Sequence, residues 1–376
     1  MLKKSVFLIV VLMSVLSVGV SAGARPSSLS SASAVLYEPC SGRFLYEKDA
    51  DTPRPMASTT KLMTALVASR HLPLDATVTI PPQAVLVEGS SMGLRGGDRL
   101  TVEHLLTGLL LSSGNDAANA LAMLSCGSLP AFADSMNRTA AELGMTRSLF
   151  VTPSGLDEGG HSSTARDMAL LGAAVLQQPS LADICAKKTA TVVINDVQHT
   201  LSNHNRLLSL YPSAIGLKTG YTMKSGKCLV SAARRDGVTL IAVTLNGGDY
   251  WNDHIALYEY GFSVTASVPL AMPALPPLSV AGGEQTTVPL SAEQPPAAIL
   301  MKDEADAVSV RVQLPSFVWA PVTAGETVGQ AVYTVGDRVI GTVPLKAAQT
   351  VVEREPWSFF EKWKRAAVSR FTEWVR

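Results

Sequence analysis

From residue 58 to residue 176 the apolar side chains recur at helical spacing, and on either side they recur at strand spacing. That order restricts the fold to one in which sheet and helices share a core. Residues 34–37 and 44–46 read as two strands around a turn at Gly42-Arg43, a hairpin, with a loop over 51–55. A helix runs on from Ser58 through Leu62, Ala65 and Leu66. A second carries Leu105, Leu106, Leu109 and Leu110, with Thr101 as its cap. Further helices are predicted over 117–124, 132–143 and 164–176, the last capped by Ser163 or Thr164. Beyond Thr189 the period shortens: 190–194, 227–234 and 238–245 read as strands, the last two around Arg235-Asp236-Gly237. A final helix spans 251–260 and stops before Gly261. Residues 32–262 are thus predicted to be an α+β domain.

Composition changes near Val268. Residues 271–277 are proline-rich and read as a linker, within a second region, 263–350, that holds short alternating runs. Val308, Val310 and Val312 point one way, while Ser309, Arg311 and Gln313 point the other. Glycines punctuate the later runs, which suits a small all-β sandwich. Residues 356–376 differ again. Trp357, Phe359, Phe360, Trp363, Val368, Phe371 and Trp374 share one side of a helix, with Lys362, Arg365 and Arg376 opposite. Aromatic residues facing Lys and Arg suit an amphipathic helix lying in a membrane interface; docking on its own domain is the alternative.

The amino terminus reads as a secretory signal over residues 1–24. Lys3 and Lys4 precede an apolar run from Val6, and Ala22-Gly23-Ala24 offers a small-residue cleavage site. The run is short for a membrane span and diluted by serines, so an uncleaved anchor is the weaker reading. Export implies an oxidising compartment, yet the chain carries only Cys40, Cys126, Cys185 and Cys228, and a core of this size folds without cross-links. The formal net charge is zero, which gives no general reason to expect a nucleic-acid partner. The histidines form no cluster with metal-ligand spacing, so no metal is expected.

Three motifs carry the chemistry: Ser58-Thr59-Thr60-Lys61, Ser113-Gly114-Asn115 and Lys218-Thr219-Gly220. Ser58 and Lys61, three apart, share a helix face. A serine hydroxyl needs a base beside it to act as a nucleophile. Lysine serves only when burial and a nearby cation lower its pKa, and Lys218 can be that cation. Ser113 suits a proton relay, and Asn115 can hold a substrate amide across a turn that Gly114 permits. Lys218 and Thr219 suit a substrate carboxylate, and Gly220 lets substrate approach an edge strand. The backbone N–H groups of Ser58 and Tyr221 are the natural oxyanion pair. Each motif alone is common in proteins of other kinds; the ordered set is not.

That ordered set resembles the penicillin-binding and serine β-lactamase superfamily. The flanking residues are closer to one branch, the low-molecular-weight D-alanyl-D-alanine carboxypeptidases. They are Pro55-Met56-Ala57 before Ser58, Asp116-Ala117-Ala118 after Asn115, Asn203-His204-Asn205-Arg206-Leu207-Leu208, and Gly216-Leu217 before Lys218. Thr152-Pro153-Ser154-Gly155-Leu156-Asp157, followed by His161 and Ser163-Thr164-Ala165-Arg166-Asp167, matches a further family segment, which more often begins with asparagine. Ser225 also departs from the family's usual alanine. The resemblance implies a penicillin-binding, transpeptidase-like fold: a mixed sheet flanked by helices, a helical subdomain, the β module and the terminal amphipathic helix. It implies Ser58 as acyl-ester nucleophile, Lys61 as base, and Ser113, Asn115, Lys218, Thr219 and Gly220 as the second and third motifs. The substrate implied is the peptidoglycan pentapeptide, with β-lactams as acylating mimics and no cofactor, at the outer face of the cytoplasmic membrane. A D,D-endopeptidase, or a β-lactamase using Glu142 or Glu158 to activate water, shares this chemistry. A penicillin-sensing or wall-binding protein without turnover is the non-enzymatic alternative. Arg234 and Arg235 either add positive potential near a wall substrate or are plain surface cations.

Overall fold

The computed structural model describes residues 24–355 and, beyond them, Trp363; the signal segment up to Gly23 and the terminal amphipathic helix expected over 356–376 otherwise lie outside the described residues. The chain divides into two compact units. Among the described residues, one holds 24–37, Phe44–Arg235 and Leu240–Val264; the other holds Glu38–Arg43, Asp236–Thr239 and 265–355.

The first unit is built on strands β1 (Ser33–Glu38) and β2 (Arg43–Lys48) and, far along the chain, β7 (Ala214–Thr222), β8 (Gly226–Arg235) and β9 (Val238–Gly247). They form one five-stranded sheet in the order β2-β1-β9-β8-β7. The hairpin at the chain's start therefore joins the strand pair near position 240, Val35 opposite Val243. Between these strands come β3 (Thr77–Thr79), β4 (Arg99–Thr101), β5 (Thr189–Ile194) and β6 (Val197–Ser202), two small antiparallel pairs. The helices are α1 (Lys61–His71), α2 (Val102–Leu111), α3 (Asn115–Cys126), α4 (Leu129–Glu142), α5 (Ala165–Leu176), α6 (Pro179–Ala186), α7 (Leu207–Leu210) and α8 (Tyr250–Val264).

Helix α1 organises this unit. Every residue from Lys61 to Ala68 is buried; the polar groups among them are the Lys61 amine and the Thr64 hydroxyl, which donates to Pro153 O at 2.6 Å. Thr101, Ser128 and Thr164 cap α2, α4 and α5 by accepting from His104, Ala131 and Asp167 backbone N–H groups at 3.2, 3.3 and 3.0 Å. The caps predicted at Thr101 and Thr164 are therefore present. Gly261 is not the stop signal it resembles. It lies inside α8, where a Cβ would sit 2.5 Å from Leu240 Cδ1 and 2.6 Å from Leu36 Cδ2. This glycine lets the helix approach the sheet closely and does not end it. Helix α6 and strand β6 have no counterpart in the periodicity reading. Among the described residues no single helix is long and apolar enough to cross a bilayer; α5 and α6 pass only as a pair bent by 104°.

The second unit is β-rich. It contains β10 (Thr265–Val268), β11 (Leu278–Ala281), β12 (Thr287–Val288), β13 (Leu290–Ser291), β14 (Ala298–Met301), β15 (Val308–Gln313), β16 (Val318–Trp319), β17 (Thr327–Val335) and β18 (Arg338–Ala347). Its sheets run β10-β14, β12-β11-β16 and β13-β18-β17-β15. Leu300, Ala331, Tyr333 and Leu345 centre one apolar cluster, and Leu278, Val288, Val322 and Val351 another. The proline-rich stretch 271–277 has no regular structure but is not a free tether. Met272 and Leu275 pack on the first cluster, and Tyr333 Oη donates to Ala271 O at 3.1 Å.

Candidate active site

The nucleophile motif occupies a tight turn of 3-10 helix, Ala57–Thr60, that leads into α1. Thr59 Oγ1 donates to Met56 O at 2.6 Å and holds the turn. Lys61 opens α1, and its Nζ lies 2.8 Å from Ser58 Oγ, 2.7 Å from Asn115 Oδ1 and 2.7 Å from Ser154 O. The two ends of Ser-x-x-Lys thus meet as the helical spacing predicts.

The contacts of Lys61 suit both of its charge states. As an ammonium, Nζ donates to all three oxygens. As a neutral amine it keeps two protons, held by Asn115 Oδ1 and Ser154 O, which cannot donate. The lone pair then faces Ser58, whose hydroxyl can donate to it. Burial pushes the Lys61 pKa well below the ordinary lysine value, the charge of Lys218 pushes it further down, and Asp116 opposes both. The amine also sits at the positive end of the α1 dipole, which disfavours its charge in the same sense.

Asn115 is committed on both sides. Its Oδ1 takes the lysine proton, and its Nδ2 donates to Glu88 O at 2.6 Å. The amide expected to face substrate is in this structure a partner of the lysine. The turn before it also differs from expectation. Gly114 has an ordinary φ of −58°, and it is Ser113 that takes the left-handed conformation, at +59°. Glycine is required at 114 because a Cβ would meet Asp116 Oδ1 at 2.7 Å and Met92 N at 3.2 Å. The Asp116 carboxylate accepts the backbone N–H groups of Met92, Gly93 and Leu94 at 3.0–3.1 Å, fixing that loop against α3.

Lys218-Thr219-Gly220 lies within β7, the edge strand of the sheet. Gly220 turns the face it shares with Lys218 towards the nucleophile. A Cβ there would stand 2.9 Å from Met56 O and Thr59 N and 3.0 Å from Ser58 N. Tyr221 follows on the same strand, so the edge backbone runs beside the Ser58 turn. Lys218 is buried, its Nζ donates to Thr219 O at 3.1 Å, and burial lowers its pKa to about 8. Asn205 explains part of the Asn203-His204-Asn205 word: its Nδ2 donates to Gly216 O at 3.1 Å, at the irregularity that sets the register of β7.

Several participants are absent from the motif-based set. Ser154 supplies the third acceptor for Lys61 through its carbonyl, a role no side-chain pattern announces. Gly155, at φ +84°, passes so close to the nucleophile turn that a Cβ would fall 1.9 Å from Ala57 O. His161 Nδ1 accepts from Val151 N at 2.9 Å, so Nε2 carries the proton and donates to Thr60 Oγ1 at 2.8 Å. Burial lowers the His161 pKa to about 4, which keeps it neutral. Their signal was the Thr152-to-Asp167 segment, read as family likeness and not as site. Thr152 keeps a side-chain turn of its own: Oγ1 donates to Leu156 O at 3.1 Å and accepts from Gly155 N at 3.2 Å. Ser225 likewise ties the β7–β8 turn, accepting from Thr222 N at 2.9 Å.

Other candidates fall away from this centre. Glu142 pairs with Arg70 at 2.9 Å on the surface, and Glu158 is exposed; neither hydrogen-bonds to Ser58 or Lys61. Arg235 pairs with Glu259, donates to Tyr211 Oη and lies over the Phe262 ring at 4.7 Å, a structural cation rather than a free one. Among the described residues no group of three His, Cys, Asp or Glu is placed to hold a metal.

A half-buried serine held against a buried lysine, beside the edge strand of an antiparallel sheet, defines the class of serine peptidases that use lysine in place of histidine. Comparison with known proteins narrows this. The D-alanyl-D-alanine carboxypeptidase family matches residues 20–249, and the penicillin-binding protein 5 C-terminal domain matches residues 275–353. The chain is 38% identical over 232 residues to the D-alanyl-D-alanine carboxypeptidase DacB2 of Mycobacterium tuberculosis, covering 60% of this chain and 79% of that one. It is 30% identical over 341 residues to DacF of Bacillus subtilis, covering 87% and 88%. The crystal structure of penicillin binding protein 5 from Haemophilus influenzae superposes with a TM-score of 0.68 at 28% identity, covering 88% and 100%. The chain belongs to the D-alanyl-D-alanine carboxypeptidase family of serine peptidases.

Proposed function

We propose that the protein is a serine-type D-Ala-D-Ala carboxypeptidase that removes the terminal D-alanine from peptidoglycan stem peptides. Ser58 Oγ attacks the carbonyl carbon of the D-Ala–D-Ala bond as its proton passes to Lys61 Nζ. The developing oxyanion is held by the backbone N–H groups of Ser58 and Tyr221. The C–N bond then breaks, and the departing D-alanine nitrogen takes the proton back from Lys61 by way of Ser113 Oγ. Water, deprotonated by the same lysine, attacks the acyl ester; as the C–O bond to Ser58 breaks, Lys61 returns that proton to Ser58 Oγ and the shortened peptide leaves. Lys218 and Thr219 receive the terminal carboxylate, and Gly220 leaves the strand edge open to the substrate backbone. Asn115 orients Lys61 through this sequence. A β-lactam enters as a mimic of the same bond and acylates Ser58.

The observation that carries this reading is the 2.8 Å contact between Ser58 Oγ and an amine that burial disposes to be neutral. The test is release of free D-alanine from a pentapeptide by the purified protein, read beside the intact mass after exposure to benzylpenicillin. Wild type should release D-alanine and gain the adduct, and Ser58→Ala should do neither. Adduct without any D-alanine release would favour the sensor; release persisting in Ser58→Ala would refute the nucleophile.

The first unit is read as the peptidase domain and the second as a β-sandwich accessory domain. Residues 1–24 are read as an export signal, and 356–376 as a peripheral attachment to the outer face of the cytoplasmic membrane. Removing 356–376 should release the protein from vesicles with hydrolysis kept; unchanged vesicle binding would refute the attachment.

A further inference from the structure

Strand β16 of the second unit has two unlike sides. Val318 and Ala320 pack onto the cluster centred on Leu278, Val288, Val322 and Val351. Phe317 and Trp319 alternate with them and face outward, 45% and 70% exposed. Their rings meet edge to face with centroids 5.3 Å apart, so each restrains the other. β16 is the outer strand of its sheet, and on neighbouring β11 the outward residues are Ser279 and Ala281, the latter paired with Trp319. Both are too short to shield the rings. Two large aromatic side chains set side by side in water mark a contact surface.

Their place in the chain indicates what they contact. The N–H of Arg354 donates to Gly282 O at 2.8 Å, and Gly282 follows Ala281, the partner of Trp319. The described chain therefore leaves this unit beside the aromatic pair, and the residues that come next are 356–376, with Trp357, Phe359 and Phe360 at their start. Aromatic rings of this kind are at home in the headgroup layer of a bilayer. Charge does not supply the attraction, because the exit residues Glu353, Arg354 and Glu355 carry more acid than base. Resting on the membrane attachment proposed for 356–376, we infer that Phe317 and Trp319 form a second lipid-contacting site, which enters the bilayer interface together with that segment and holds the β-rich unit against it.

The experiment uses the full chain and vesicles of phosphatidylcholine, a lipid without net charge. Co-sedimentation compares wild type with two double variants, Phe317→Ser/Trp319→Ser in the patch and Trp357→Ser/Phe360→Ser in the terminal segment. The patch side chains are exposed, so the melting temperature should stay as in wild type. The partition coefficient of the patch variant should fall about 10-fold, as the loss of two partly inserted rings allows. Brominated acyl chains should quench part of the tryptophan emission of wild type and a smaller part of that of Trp319→Phe. Unchanged partition of the patch variant, or equal quenching in Trp319→Phe, would overturn the second site. Stronger binding by the patch variant would mean that the rings hold the terminal segment away from lipid, and would overturn it too. Binding lost in the patch variant but kept in the terminal variant would support the second site and remove the attachment through 356–376. A wild type that does not bind vesicles at all would overturn both.

Discussion

Replacing Lys218 by methionine should make the protein more stable at neutral pH while abolishing its activity. Lys218 is 1% exposed, and burial lowers its pKa from 10.5 to about 8. At pH 7 the side chain is charged in both the folded and the unfolded chain. That depression corresponds to about 3 kcal/mol by which the fold disfavours the ammonium. Methionine is similar in shape and carries no charge. Its substitution forfeits the hydrogen bond to Thr219 O, about 1 kcal/mol, so the net gain at pH 7 should be about 2 kcal/mol. The sign follows from the direction of the shift. Below about 8 the whole penalty is present; between about 8 and 10.5 the folded chain has released its proton while the unfolded chain still holds one, and the penalty shrinks. Urea unfolding followed by circular dichroism, wild type against Lys218→Met, at about pH 7 and about pH 10, reads the difference with other titrations cancelled. A variant less stable at neutral pH, or a difference that does not shrink with rising pH, would refute the reasoning.

Gly155→Ala should lose about 3 kcal/mol or more, seen as a lower melting temperature, because its Cβ would overlap Ala57 O at a φ of +84°. Gly220→Ala should lower the melting temperature less than Gly155→Ala but lower kcat/KM about 100-fold, since its Cβ at 2.9 Å from Met56 O and Thr59 N forces the strand edge away from the Ser58 turn. His161 should make the protein acid-sensitive. Its folded pKa is lowered from 6.5 to about 4, so stability present above about 6.5 is lost as pH falls through about 4, and His161→Gln should show a flatter pH dependence of urea midpoints. Hydrolysis itself should rise with pH as Lys61 loses its proton and fall above about 8 as Lys218 does; a rate flat across that range would refute the two-amine assignment.

What was legible in the sequence was whatever depends on nearest neighbours. The caps at Thr101 and Thr164, the helical pairing of Ser58 with Lys61 and the shift to strands after Thr189 are local rules, and the structure follows them. Gly261 misleads because a glycine needed for close helix–sheet packing looks the same as one that ends a helix. Strand β7 was obscured because Gly216, Lys218 and Gly220 interrupt its apolar face, and each is there for the site and not for the sheet. Ser154 was out of reach for a different reason. It acts through its backbone carbonyl, which every residue possesses, so only the folded path of 150–156 shows that it is the one used.

The three motifs share a property that bears on how the site is held. Each contains or adjoins a non-glycine residue in the left-handed region: Ala57 at φ +48°, Ser113 at +59° and Leu217 at +78°. Each such residue costs about 1–2 kcal/mol, so no motif would keep its shape alone. What holds them comes from elsewhere in the chain. Gly155 closes over Ala57 O, and Gly216, whose Cβ would meet Cys185 O at 2.3 Å, seats the approach to Leu217. The N–H of Asn115 donates to Ser90 O at 2.7 Å, and that of Gly114 to Gly108 O at 3.2 Å, bracketing the turn at Ser113. The residues that impose the geometry are therefore not the ones that do the chemistry. The flanking words around each motif are informative for that reason: they record the restraints that bring an amine, which the core would otherwise exclude, to 2.8 Å from a partly exposed hydroxyl.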